Sequence, residues 1–191
     1  RPMLSNWKPV SRRNPPDPKW ASSVTWDSID RIKAEAGLPF MLKGIATAED
    51  ARLAVEHGAD VVWVSNHGGR QLDHGQGTLD MMPEIVEAVD GRAQIVLDGG
   101  IQRGTDVIKA ISMGADAVAI GKMQGWGLAA GGTAGLVRVL EIFEEEIRIA
   151  MGLMGVTDLS QLSSNYICDA IPVTSSHEMS SWVNMPDPRI K

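Results

Sequence analysis

His67 and Arg70 stand three residues apart in the run Ser65-Asn66-His67-Gly68-Gly69-Arg70, and their side-chain types suit acid–base chemistry beside an anion. Imidazole is the side chain whose unperturbed pKa lets it take a proton near neutral pH. Guanidinium is a permanently charged planar fork that matches a carboxylate or a phosphate. Gly68 and Gly69 put no side chains between the two, so a ligand can approach both. Such a pair suits proton abstraction from a small acid. A histidine in a loop is more often a turn residue or a surface group, so the assignment depends on what positions it.

The run Val61, Val62, Trp63, Val64 is apolar without alternation and stops abruptly at Ser65-Asn66. That is the pattern of a strand covered on both faces, as in a parallel sheet flanked by helices. The flanking sequence supplies the rest of such a sheet. Thr25 is a plausible N-cap for a helix ended by Gly37. Residues 38–45 read as a strand interrupted by Lys43 and Gly44, and residues 47–57 as a helix with acids in its first turn. The strand at 59–65, with the His67 loop, is followed by a helix at 78–89. A strand at 93–97 ends in Asp98-Gly99-Gly100 and leads into a helix at 105–113. The strand at 115–120 ends in Gly121-Lys122. A glycine-rich loop through Gly125, Gly127, Gly131 and Gly132 precedes a long helix at about 133–151. One helix and then four strand-helix units is parallel α/β alternation.

An internal repeat sharpens the fold. Gly44, Ile45, Asp50, Ala54 and Gly58-Ala59-Asp60 recur as Gly100, Ile101, Asp106, Ala110 and Gly114-Ala115-Asp116, each shifted by 56 residues. Repeated strand-helix modules are how a (β/α) barrel is generated, and such barrels place their chemistry at the carboxyl ends of the strands. The fold class expected is the C-terminal half of a (β/α)8 TIM barrel, with four βα units. A half barrel alone would expose two sheet edges, so a partner chain carrying the other half, or a second copy, is expected to complete it. Residues 25–162 are assigned to the half barrel, 1–24 to a flexible arm rich in proline, and 163–191 to a C-terminal tail.

Composition narrows the partners. A net charge of −6 and a pI near 5.2 argue against a nucleic-acid footprint. Cys168 is the single cysteine among 191 residues, which rules out an intrachain disulfide and a cysteine-built metal site. It fits a reducing, intracellular setting, the cytoplasm first, with an organelle left open. No apolar run approaches a membrane span and no signal-peptide pattern opens the chain. Starting at Arg1 without an initiator methionine, the sequence is expected to be a processed product, a fragment or a separately encoded piece.

The four strand ends would share one mouth: Lys43; Ser65 with His67 and Arg70; Asp98-Gly99-Gly100; and Gly121-Lys122. A lysine after an apolar strand is costly unless it meets an anion. Glycines at strand ends can turn backbone N–H groups toward a phosphate, although they are also ordinary turn residues.

The stretches LPFMLKGI, VSNHGGRQLD, LDGG with RGTDV, and GADAVAIGK closely resemble the second half of the FMN-dependent α-hydroxy-acid oxidases and dehydrogenases, which include glycolate oxidase, lactate oxidase and mandelate dehydrogenase. The resemblance covers residues 25–162 and leaves Tyr166 beyond it. It implies oxidation of a small 2-hydroxy acid to a 2-oxo acid, with electrons passed to bound FMN, in an oligomer. It also implies roles: His67 as the base, Arg70 as the carboxylate clamp and Lys43 beside the flavin ring. Ser65 would hydrogen-bond the flavin, and Asp98, Gly99, Gly100, Gln102, Gly121 and Lys122 would lie in the ribityl and phosphate region. Gln102 and Lys122 depart from the family, which commonly has arginine at both; Arg103, next door, is the obvious replacement, although a neighbouring position should point elsewhere. Two other readings stay open: a non-catalytic half-barrel subunit or pseudoenzyme, and a phosphate-binding (β/α) barrel enzyme without flavin.

Overall fold

Thr25 opens the described fold by a reciprocal cap: its hydroxyl accepts the Ser28 N–H while the Ser28 hydroxyl accepts the Thr25 N–H. The computed structural model describes residues 23–70 and 75–170, so the proline-rich arm, apart from its last residues, and residues 171–191 of the tail lie outside it. Helix α1 (Trp26–Ala36) ends at Gly37 in a left-handed conformation. Then follow β1 (Met41–Ile45), α2 (Ala48–Glu56), β2 (Val61–Val64), a 3-10 turn (His67–Gly69) and α3 (Thr78–Val89). They are succeeded by β3 (Gln94–Asp98), α4 (Gly104–Ser112), β4 (Ala117–Ala119) and α5 (Lys122–Met154). The four strands form one parallel sheet in chain order, β1-β2-β3-β4. This is the arrangement of four successive units of a (β/α)8 barrel.

The duplicated residues occupy equivalent places. Gly44 and Gly100 both have positive φ (98° and 78°), as do Gly58 and Gly114 (76° and 103°). The Ala54 carbonyl accepts the Ala59 N–H at 2.8 Å, and the Ala110 carbonyl accepts the Ala115 N–H at 3.1 Å. Asp60 accepts the Phe40 N–H at 2.6 Å, and Asp116 accepts the Ile95 N–H at 2.7 Å, so each carboxylate ties the start of its own strand to the start of the strand before it. The bond from Phe40 also holds the Asp60 carboxyl below the ordinary carboxylate pKa.

One face of the sheet is sealed. Val62, Val64 and Leu97 are fully buried with Ala51, Ala54, Met82, Ile85, Val89 and Ala110 of the helices. The other face departs from expectation: Val61 and Trp63 are only half-buried and Met41 is exposed, so β2 is covered on its helix side and open on the other. Its apolar run is unbroken although only one of its faces is sealed. The glycine-rich loop expected before the last helix is also different. Residues from Lys122 onward are already helical, and only Gly131 and Gly132 break the helix, as a kink within α5. Gly127 and Gly135 instead let its two arms touch backbone to backbone, because a Cβ on Gly127 would lie 2.8 Å from the Gly135 carbonyl oxygen.

Gly104 shows the same use of a missing side chain. A Cβ there would lie 2.7 Å from the Ile147 nitrogen and 2.8 Å from the Phe143 oxygen, both backbone atoms of α5. Gly104→Ala should destabilise the chain by about 1–3 kcal/mol in urea unfolding, because backbone cannot give way cheaply. Gly152→Ala, at a helical position with open space around it, should be neutral or stabilising by up to about 1 kcal/mol in the same assay.

Candidate functional site

Lys43 and Trp63 are register partners on β1 and β2, and Trp63 faces Val96 on β3, so Asp98 lies two residues further along the same face. The pairing brings three strand ends together. Lys43 Nζ donates to Ser65 Oγ at 2.9 Å and pairs with Asp98 Oδ2 at 3.1 Å. Ser65 Oγ donates to Asp98 Oδ1 at 2.6 Å, and Trp63 Nε1 donates to Asp98 Oδ2 at 3.1 Å. The ammonium also sits 5.4 Å from the Trp63 ring centroid, within cation–π range. Asp98 is 16% exposed and Lys43 42% exposed, so the lysine keeps a side open to the uncovered face.

Past Ser65 the chain turns sharply. His67 has φ 57°, and Gly68 and Gly69 follow at 63° and 69°. Asn66 braces this turn: its Oδ1 accepts the Gly69 N–H at 3.1 Å and its Nδ2 donates to the Gln76 carbonyl at 3.1 Å. Arg70 follows, exposed, with its N–H closing the turn on the His67 carbonyl at 3.3 Å. From the first residue of α5, Lys122 Nζ reaches the Gly68 carbonyl at 3.4 Å. Gly99 and Gly100 both have positive φ, and the space beside Gly100 and Gly121 is open. Gly121 immediately precedes α5, and no side chain caps that helix.

The structure therefore brings Lys43, Ser65, His67, Asp98 and Lys122 together, with Arg70 at the turn's end and the glycines around them. For Gln102 the structure gives a backbone anchor, its N–H held by Asp106 Oδ2 at 3.1 Å. Arg103 does not replace the missing guanidinium, because it is turned to α5, where Nε meets Glu146 Oε1 at 2.8 Å. That bond, with the Gly104 N–H at 2.7 Å, keeps Glu146 below the usual carboxylate range. Trp63, Asn66 and Thr78 were not singled out from the sequence. Asn66 after a strand is a recognisable turn signal, whereas nothing local announces that the Thr78 hydroxyl donates to the Gly99 carbonyl at 3.1 Å. A separate cavity of about 670 Å³, lined by Lys33, Asp60, Arg92 and Asp116 among others, opens at the amino ends of β2 and β3, away from this cluster. Among the described residues no group of acids, histidines and cysteines is placed to hold a metal, and no helix is long and apolar enough to cross a membrane.

Partial burial, and then the Lys43 charge, push the His67 imidazole below the ordinary histidine pKa of 6.5; Arg70 adds to this and Asp98 opposes it. The neutral, proton-accepting form is favoured. The stabilisation that neutral His67 brings to the fold is fully present above 6.5 and is lost as pH falls toward the lower folded value. Lys43→Met should move the His67 midpoint upward in an NMR pH titration, since it removes a repelling cation and frees Asp98. A midpoint that stays put or falls would contradict this electrostatic account.

Residues 8–169 match the FMN-dependent dehydrogenase family, a longer span than 25–162, so Tyr166 falls inside it. The chain is 48% identical over 145 residues to an L-lactate oxidase of Nostoc sp., covering 76% of this chain and 40% of that protein. It is 46% identical over 145 residues to human 2-hydroxyacid oxidase 1, covering 76% of this chain and 39% of that protein. Among solved structures, the crystal structure of mandelate oxidase with (S)-4-hydroxymandelic acid matches with a TM-score of 0.70 at 47% identity, over 72% of this chain and 39% of that one. The chain thus spans about 40% of the length of such relatives. Sheet order, strand-end cluster and sequence agree: the chain belongs to the FMN-dependent dehydrogenase family.

Proposed function

We propose that this chain carries the base and the carboxylate clamp of an FMN-dependent 2-hydroxy-acid oxidase or dehydrogenase, active once the amino-terminal half of the barrel completes it. The observation that carries this reading is the placement of neutral-favoured His67 directly after the Lys43–Ser65–Asp98 cluster, at the carboxyl ends of parallel strands. The open face of the sheet and the two strands at its edges among the described residues, β1 and β4, are where the remaining units belong, on a partner chain or on a longer form of this one.

The residues present fit FMN. Lys43 offers a partly exposed ammonium suited to a delocalised anion, Gly100 and Gly121 leave room for close backbone approach, and Lys122 is the first residue of α5, whose uncapped start favours phosphate. Bound FMN would supply a two-electron acceptor. Arg70 fixes the substrate carboxylate as a bidentate fork, and as the hydroxy acid loses two electrons and two protons to become the 2-oxo acid, His67 takes up one proton while the electron pair and the other proton would pass to bound FMN. With Arg103 engaged by Glu146, cationic charge toward the phosphate falls on Lys122. That same observation favours the second reading, a half-barrel subunit retained for assembly in which flavin binding has lapsed. An oligomer in a reducing, intracellular compartment completes the proposal, in keeping with the free, exposed Cys168.

Screening the completed protein with glycolate, lactate and mandelate tests the reading. His67→Ala should lower turnover by at least 100-fold while flavin stays bound, within the usual 10²–10⁴-fold worth of a general base. Arg70→Lys should act mainly on kcat/KM, because a fork becomes a point charge. Turnover of His67→Ala within a few-fold of the parent would remove the base assignment.

A further inference from the structure

Ser65 is buried, 3% exposed, and its hydroxyl stands at the junction between the charged cluster and the His67 turn. A hydroxyl has one hydrogen to donate and two lone pairs to accept with. All three are used here. A carboxylate can only accept, so the hydrogen goes to Asp98 Oδ1 at 2.6 Å. An ammonium and a backbone N–H can only donate, so the lone pairs take Lys43 Nζ at 2.9 Å and the His67 N–H at 3.1 Å. Chemistry forces these directions.

His67 meanwhile adopts φ 57°, a left-handed conformation that residues other than glycine take up rarely. Its own carbonyl is held by the Arg70 N–H and the next carbonyl, that of Gly68, by Lys122. The first anchor of the turn, at the His67 N–H, is the Ser65 hydroxyl. We infer that Ser65 is a positioning residue, whose saturated hydroxyl locks the backbone of His67 in its left-handed turn and links it to the Lys43–Asp98 pair. Serine suits the task because its short side chain reaches the N–H two residues on. All three bonding positions of the Ser65 hydroxyl are thus taken by groups of this chain, whereas Lys43 retains an exposed side.

The inference rests on the reading of His67 as the base only for its effect on turnover. Amide hydrogen exchange on the full chain tests it without that reading. Ser65→Ala should speed exchange of the His67 N–H at least tenfold, with the amides of Val62, Val64 and Leu97 within twofold of the parent, and Ser65→Thr should restore protection. If Ser65→Ala does not fold, Ser65→Cys, of similar size and a weaker acceptor, should give the same acceleration in smaller measure. In the completed protein Ser65→Ala should lower kcat about tenfold or more with KM nearly unchanged. Unaltered His67 exchange in a folded Ser65→Ala or Ser65→Cys variant, or acceleration spread equally over β2 and β3, would overturn the positioning role. Absence of turnover in the parent protein would instead count against the functional reading, and the exchange result would still stand.

Discussion

Everything at the carboxyl end of this sheet depends on how the Asp98 carboxylate is satisfied. It accepts from Trp63 and Ser65 and pairs with Lys43, so three adjacent strands converge on one anion. A half-buried carboxylate without such partners would be driven to neutralise or to drag in water. With them it fixes the height at which Lys43 stands, and through Ser65 it fixes where the chain turns into His67. The price is a charge pair kept partly from water, and the open side of Lys43 keeps that cost below the penalty of full burial. Parallel register is what makes this possible, since Lys43, Trp63 and Val96 face one another across the sheet.

Electrostatics then carries the arrangement into chemistry. The cluster puts a cation near His67, and partial burial adds to its effect, so the imidazole stays ready to accept a proton at neutral pH. Arg70, at the end of the same turn, is exposed, so a carboxylate from solution can reach it. His67 and Arg70 therefore share one short segment whose start is anchored by the buried Ser65 and whose end is exposed. A rigid origin with an accessible tip suits proton transfer from a bound small molecule.

Much of this was legible in the residues. Thr25, Gly37 and Thr47 mark helix ends by cap chemistry alone, and the 56-residue repeat identified positions that the structure uses identically, down to the paired carboxylates Asp60 and Asp116. The parallel sheet followed from alternation of apolar runs and helical segments. What stayed hidden depends on contacts distant in sequence. Glycines 125 and 127 read as a loop because local propensity disfavours them in helices, yet the close approach of Gly127 to Gly135 needs a missing side chain and overrides propensity. Arg103 could be placed only by finding Glu146 on a helix some 40 residues later. Asp98 read as part of a glycine turn, and only register reveals it as the partner of Lys43. The open second face of β2 likewise depends on what the described chain does not cover.

The account stands or falls on whether this site moves electrons from a 2-hydroxy acid to flavin. The most direct measurement is the visible spectrum of the purified native protein, together with any polypeptide that accompanies it, under anaerobic conditions before and after adding glycolate, lactate or mandelate. The account predicts oxidised-flavin absorption in the starting sample and its bleaching by at least one of these acids, with the corresponding 2-oxo acid formed in equal amount. A flavin-loaded protein whose spectrum none of them alters, or a completed barrel that takes up no flavin, would contradict it.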